Sequence, residues 1–427
     1  MSSQRARLGV AVLLVAAAAV LAHYVQVWSA IPPVEARTSD FAGTYASATL
    51  WRTGHPADLY NVGAQEGVSR AQGAPGNHLF VPFENPPLAA VVASPLTLLD
   101  ATAAYRAWSL LQLGALVAAL AIAARAAPWP SRRPHLSATA CAGVALAGFG
   151  TGLLFVEGQW DGVPALGLAL AYAGWTSGRR FVPGFATGFA FGIAKPHLAA
   201  GVIAFMAGRR DWHGLAGVVA GGASVAAGGV VLAGPGATAG FIRALLQPVN
   251  SPPAQMQGSS GITGSLLGSG LAPYALALLL AAIALVAAGW LGTVSRRRPA
   301  LLEPALLGAT ALSLWASPHL LGHDLVVLAP PLVAMFAWTM RAERQSAAAW
   351  PGPASLALVA GWVALSYASL FDLGQGGVGL PGRLTPWVLL ACAVAASGAV
   401  WRLTRGEPMP AAPAGGSRVM EEAHHPA

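Results

Sequence analysis

The chain has 427 residues, 55% of them hydrophobic and only 9% charged, with a mean hydropathy of +0.58. A soluble domain carries roughly 25% charged residues, so this composition excludes an ordinary soluble enzyme and puts most of the chain in lipid. The formal charge of +8 comes almost entirely from arginine, which in such a chain marks cytoplasmic loops and not a nucleic-acid surface.

Taken in order, apolar runs at 9–30, 103–124, 137–155, 161–177, 181–194, 197–208, 214–234, 272–292, 301–317, 325–340, 353–371 and 384–402 predict an all-α, polytopic membrane protein with about twelve transmembrane helices. The first run is followed by many more and lacks a convincing cleavage site, so it reads as a retained helix and not a signal peptide. Residues 32–85 form a first outer loop, in which the pattern from Phe41 to Trp51 predicts an amphipathic helix on the outer surface with Asp40 at or near its N-cap. The segment 86–99, "PPLAAVVASPLTLL", is apolar but short and holds a proline within it, so it is expected to lie along or dip into the membrane surface. Several runs within 161–208 are shorter than a full crossing and are expected to surround a cavity.

If 86–99 does not cross, the arginine clusters fall on one side: Arg5 and Arg7; Arg125, Arg132 and Arg133; Arg179 and Arg180; Arg209 and Arg210; Arg296, Arg297 and Arg298; Arg341 and Arg344; Arg402, Arg405 and Arg418. Both ends are then cytoplasmic. The outer face gathers 32–85, the turn "VEGQWDG" (156–162), the Lys195 turn, a loop from about 235 to 271, the turn "SPHLLGHD" (317–324) and "FDLGQGGVGLPG" (371–382). Cys141 and Cys392, the only 2 cysteines, sit in apolar runs and read as packed thiols. Residues 1–405 form one integral-membrane domain, and 406–427, rich in Pro, Gly and Ala, read as a disordered cytoplasmic tail.

Lys195 in "FGIAKPHLAAG" is the only lysine of the chain. It snorkels to headgroups or faces a wet cavity and binds an anion, most plausibly phosphate. Asp40 is either a helix cap or a carboxylate held at the bilayer rim, where partial desolvation makes it a usable base. His319, His323 and Asp324 share one outer turn opened by Ser317 and Pro318. They match no strong metal pattern, and contacts to phosphate or a sugar hydroxyl are expected of them. Gln159, Glu157 and Asp161 crowd another turn and suit sugar hydroxyls. Arg52, Tyr45, Glu84, Asn85, His197, Arg243 and Gln257 are weaker candidates, and Arg243 reads as a surface residue.

The stretches "DFAGTYASATLWRTGHPADLYN", "PFENPPLAAVVASPLTLL", "EGQWDG", "GIAKPHLAAGVIAFMAGRRDW" and "SPHLLGHDLVVLAPPL" resemble, in order, the polytopic GT-C glycosyltransferases of family 87. These are polyprenol-phosphate-sugar-dependent enzymes that include bacterial mannosyltransferases. The resemblance implies a GT-C-like fold and an inverting transfer of mannose or a similar sugar. The donor would be a polyprenyl phosphate, and the acceptor an envelope glycolipid, glycan or polysaccharide at the outer face of a bacterial inner membrane. It implies Asp40 as catalytic base, Lys195 at the donor phosphate with one of His323 and His319 assisting, and Gln159 and Asp324 as matched motif residues. Arg52, Tyr45, Glu84, Asn85 and His197 are further substrate-contact candidates, with Glu84, Asn85 and His197 standing where the family's pattern differs. No nucleotide, metal or other cofactor is implied. The rival reading is a transporter or flippase of polyprenyl-linked sugars, and a third is a catalytically silent scaffold.

Overall fold

The structure, a computed structural model, describes residues 3–76, 80–130, 134–246, 256–345 and 380–405. All regular structure among them is helical. The first helix, α1 (Ser3–Ala30), runs through an apolar stretch free of proline and stops where Pro32 and Pro33 remove two successive backbone donors. The following segment holds α2 (Pro33–Ala36), α3 (Phe41–Arg52) and α4 (Val62–Ala71), then α5 (Pro87–Ala93), whose end tightens into a 3-10 turn over Ser94–Leu98. Next come α6 (Ala101–Ala126), α7 (Pro134–Leu146), α8 (Phe149–Glu157), α9 (Gly162–Ser177), α10 (Phe181–Ala194), α11 (Ala200–Gly208), α12 (Trp212–Gly228) and α13 (Gly234–Leu245). The described chain ends with α14 (Ser259–Leu267), α15 (Leu271–Arg297), α16 (Leu302–Ala316), α17 (Ala329–Gln345) and α18 (Leu380–Arg405).

Among the described residues, 7 helical stretches are long and apolar enough to cross a membrane, or 8 if the bent pair α7–α8 counts as one. The chain is a multi-pass membrane protein. The stretches Pro299–Ala316 and Gly322–Arg341 are almost wholly buried and form the centre of the bundle. By contrast, α1, α6 and α15 expose residues such as Val15, Leu111, Leu279 and Val286, the surface that lipid tails cover.

The twelve expected spans resolve differently. The run 137–155 is two helices bent by 59°, broken where Gly148 takes an extended ψ of 155°. The runs 161–177, 181–194 and 197–208 are helices of 16, 14 and 9 residues, below the ~20 a straight crossing needs. The run 214–234 passes through a π-turn at Gly229–Ala233 into α13, so the expected loop from 235 holds helices α13 and α14. The helix α3 is not half-solvated: nine of its residues, Phe41 through Ala48 and Leu50, are buried, because no charge interrupts "FAGTYASATLW" on any face. The segment 353–371, most of 371–382 and the tail 406–427 lie outside the described residues.

The helices share one polarity. Asp161 precedes α9 and Arg179 follows it; Arg180 precedes α10 and Lys195 follows it; α6, α11, α15 and the 322–341 stretch each close on arginine. Asp161, Lys195 and His323 therefore meet at one end of the bundle and the arginines that close α6, α9, α11 and α15 at the other, where Asp211 pairs with Arg180 at 3.8 Å. The short helix α10 is seated by glycines: a Cβ on Gly184 would strike the Gly214 carbonyl, one on Gly188 the Val218 carbonyl, and ones on Gly217 and Gly221 the carbonyls of Phe181 and Phe185. This is the small-residue packing by which membrane helices bring their backbones into contact.

Gly188→Ala is expected to lower the unfolding midpoint of the detergent-purified protein, by a loss of about 1–3 kcal/mol. Gly222, whose Cβ would meet nothing within 4 Å, is the control: Gly222→Ala leaves the midpoint unchanged or raised. Equal midpoints for Gly188→Ala and the parent would overturn the packing account.

Candidate active site

Lys195 ends α10, where Pro196 forbids the helix from continuing and opens a 3-10 turn. The Asn85 side chain donates to the Ala194 carbonyl at 2.7 Å, pinning the turn to the segment between α4 and α5. The Lys195 ammonium lies 2.6 Å from Asp324 Oδ1, 3.2 Å from Asp161 Oδ2 and 3.0 Å from His323 Nδ1. Asp161, His323 and Asp324 are all buried. Burial alone would pull the lysine pKa down; the Asp161 and Asp324 carboxylates outweigh it and hold the ammonium above its ordinary value. Asp324 also shapes the backbone, since its Oδ2 accepts from the Leu321 backbone N–H at 2.7 Å and so closes the 317–324 turn.

His323 links this ion pair to the next group. Its Nδ1 is 2.9 Å from Asp161 Oδ2, while Nε2 faces Glu157 Oε2 at 3.8 Å. Asp40, Glu157 and His323 each offer a ligand-type atom within 4.8 Å of the others. Asp40 occupies the N-cap position of α3 but makes no side-chain cap. Its Oδ2 instead accepts a hydrogen bond from Gln159 Nε2. Gln159 can turn back to Asp40 because Gly158 takes a left-handed φ of +71° to cap α8, and a Cβ there would fall 2.9 Å from Phe41 Cβ. Next in the chain to Asp40, Phe41 stacks on Trp108 at 5.6 Å between centroids, and Trp108 meets Trp160 edge to face at 4.5 Å.

The structure thus brings Asp40, Gln159, Lys195, His323 and Asp324 together. Glu84 stands by: its protein surroundings raise its carboxyl pKa, Lys195 lowers it and Asp40 raises it. His197 and His319 meet edge to face, 6.2 Å between centroids, and His197 Nε2 and His319 Nδ1 are buried without a partner. Burial, with the Lys195 ammonium adding positive charge against the pull of Asp324, lowers the His319 pKa, which keeps the ring neutral with one accepting and one donating nitrogen. Two candidates stand apart. Arg52 closes α3, about 18 Å along the helix from Asp40, and donates to Thr97 Oγ1 at 2.6 Å; the Tyr45 hydroxyl donates to the Leu99 carbonyl at 2.9 Å. Arg243 is exposed on α13 and donates to its own helix at Ala239, while Gln257 is buried with its backbone N–H on the Leu320 carbonyl.

Sequence reasoning gave Glu157 and Asp161 too small a part. Asp161, expected to suit sugar hydroxyls, is 0% exposed and bridges Lys195 to His323. The available signal was "EGQWDG", two carboxylates flanking one turn.

The sequence model of glycosyltransferase family 87 matches residues 83–318, more than half of the chain. The match takes in Glu157, Gln159, Asp161 and Lys195; Asp40 precedes it, and His319, His323 and Asp324 follow within a few residues. No curated protein and no solved structure matches the chain.

Removing Lys195 leaves two buried carboxylates facing each other. Lys195→Met is expected to destabilise the fold by about 3–5 kcal/mol, read as a lower unfolding midpoint in detergent. The double variant Lys195→Met with Asp324→Asn should recover part of that loss, and a Lys195→Met protein as stable as its parent would disprove the pairing.

Proposed function

The chain belongs to glycosyltransferase family 87 and is a membrane glycosyltransferase; on that premise we propose that it moves mannose or a similar sugar, with inversion, from a polyprenyl-phosphate donor to an envelope glycolipid or glycan. The reaction is assigned to the outer face of a bacterial inner membrane. That assignment is supported by the polarity of the bundle, with the carboxylate and histidine cluster at the end opposite the arginines that close α6, α9, α11 and α15.

Asp40 serves as the base in this reading. The acceptor hydroxyl oxygen attacks the anomeric carbon from the side opposite phosphate, its proton passes to Asp40, and the carbon–oxygen bond to phosphate breaks, releasing the polyprenyl phosphate. Gln159 supports the assignment by fixing one carboxylate oxygen, which aims the other. Lys195 is assigned to the phosphate side: it cancels carboxylate charge that would repel a phosphodiester, and its side chain keeps 13% exposure. The neutral ring of His319 and that of His197, each with an orphan nitrogen, are assigned to phosphate or sugar oxygens. The observation that carries the reading is His323, which joins the Lys195 pair on one edge to Glu157 and Asp40 on the other.

The test incubates purified protein with labelled polyprenyl-phosphate mannose, glucose and pentose in separate reactions, with acceptor membranes, and determines the product anomer. One donor should be consumed, with inverted configuration. Asp40→Asn should fold and insert but lose roughly 10²–10⁴-fold in transfer. Near-parental transfer by Asp40→Asn removes it from the role of base, and transfer from a nucleotide sugar alone sinks the lipid-donor assignment.

A further inference from the structure

Two acidic pockets share His323. The inner one, formed by Asp161, His323 and Asp324, encloses the Lys195 ammonium. The outer one, formed by Asp40, Glu157 and His323, has no such cation: among the described residues Asp40 enters no ion pair, and Glu157 enters one, with His323 itself. Four carboxylates therefore stand against one lysine and one histidine, and two of the four crowd together beside a low-dielectric interior.

His323 indicates what compensates them. Nδ1 has Asp161 Oδ2 at 2.9 Å and the Lys195 ammonium at 3.0 Å beside it; in the tautomer whose Nδ1–H donates to Asp161, the lone pair lies on Nε2. That nitrogen is buried, on a residue 2% exposed, and has no hydrogen-bond partner. The nearest carboxylate oxygen, Glu157 Oε2, is 3.8 Å away. This is too long for a hydrogen bond, but two metal–ligand bonds of about 2.1 Å put their outer atoms about 3–4 Å apart. A carboxylate on one imidazole nitrogen and a free lone pair on the other is the arrangement by which proteins orient a histidine toward a metal. Two carboxylates and one imidazole suit a divalent ion of intermediate hardness, such as Mn²⁺ or Zn²⁺.

We infer that Asp40, Glu157 and His323 Nε2 form a divalent-cation site, and that a phosphate oxygen of the sugar donor completes its coordination. The phosphate part rests on the lipid-donor reading above; the cation site does not. A cation there reverses the sign of the outer pocket, which otherwise repels any phosphodiester. Each carboxylate oxygen has two lone pairs, so Asp40 can hold the ion and still receive a proton. The spacing of His319, His323 and Asp324 gave no hint of a metal because the three ligands come from three separate segments.

The test titrates Mn²⁺ into the full-length, detergent-purified, chelator-stripped chain without any sugar donor. Bound ion is read by the loss of the free Mn²⁺ paramagnetic resonance signal, and the unfolding midpoint is followed in parallel. One saturable ion per chain and a raised midpoint are expected. Binding should weaken at least 100-fold in Glu157→Gln and His323→Gln, and about 10–100-fold in Asp161→Asn, which removes the Nδ1 partner. Glu35→Gln, at an exposed position, should bind as the parent does. Because His323→Gln also disturbs the Lys195 pair, Glu157→Gln, checked for a monodisperse elution profile, is the deciding variant. Absence of saturable binding of both Mn²⁺ and Zn²⁺, or unchanged affinity in Glu157→Gln, overturns the site. Full transfer from a polyprenyl donor by the stripped protein overturns it as well while leaving the donor reading intact. Mn²⁺ binding with no transfer from any polyprenyl donor sinks the donor reading and upholds the site.

Discussion

A lysine ammonium held between two fully buried carboxylates is the contact on which the rest of this molecule depends. Neither Asp161 nor Asp324 reaches solvent, and an isolated ionised carboxylate in such surroundings is far too costly to persist. Lys195 makes both tolerable, and each then becomes useful elsewhere. Asp324 closes the turn that carries His319 and His323 through the Leu321 N–H, and Asp161 sets the orientation of the His323 ring. The pair is better regarded as the frame of the site than as a free charge awaiting a ligand.

The frame is assembled from separate segments, each stopped by its own local chemistry. Pro196 ends α10 at the lysine, Gly158 reverses the chain at Gln159, and Asn85 ties the segment between α4 and α5 to the Ala194 carbonyl. None of these stops needs the others to form, yet together they leave four acidic side chains, one lysine and one histidine within a few ångströms at one end of the bundle. Membership in glycosyltransferase family 87 gives that concentration of charge a chemical purpose and sets the transporter reading aside.

Much of this is legible in the sequence. A chain with one lysine and about a dozen apolar runs declares both the membrane and the residue that must be paired there, and Asp40, Gln159, His323 and Asp324 stand out as polar groups at helix ends. What is not legible is direction. Tyr45 shares a helix with Asp40 but points toward Leu99, and Arg52 lies more than three turns away; motif membership carries no rotation about a helix axis. Asp161 reads as a contact for sugar hydroxyls because spacing cannot reveal that Lys195 and His323 arrive from distant segments to pair with it. The count of crossings fails for a similar reason. Hydropathy registers α9, α10 and α11 as apolar, yet their lengths of 16, 14 and 9 residues follow from where turns must place polar side chains.

The glycine seam between α10 and α12 has a further consequence, for traffic of hydrocarbon. Where carbonyls of one helix rest on the bare Cα atoms of the other, no gap remains for an isoprenoid or acyl tail to thread. That side of the lysine-bearing helix is shut, so any greasy substrate must approach the charged cluster along a different flank. Widening the seam would loosen the lysine before it opened a door.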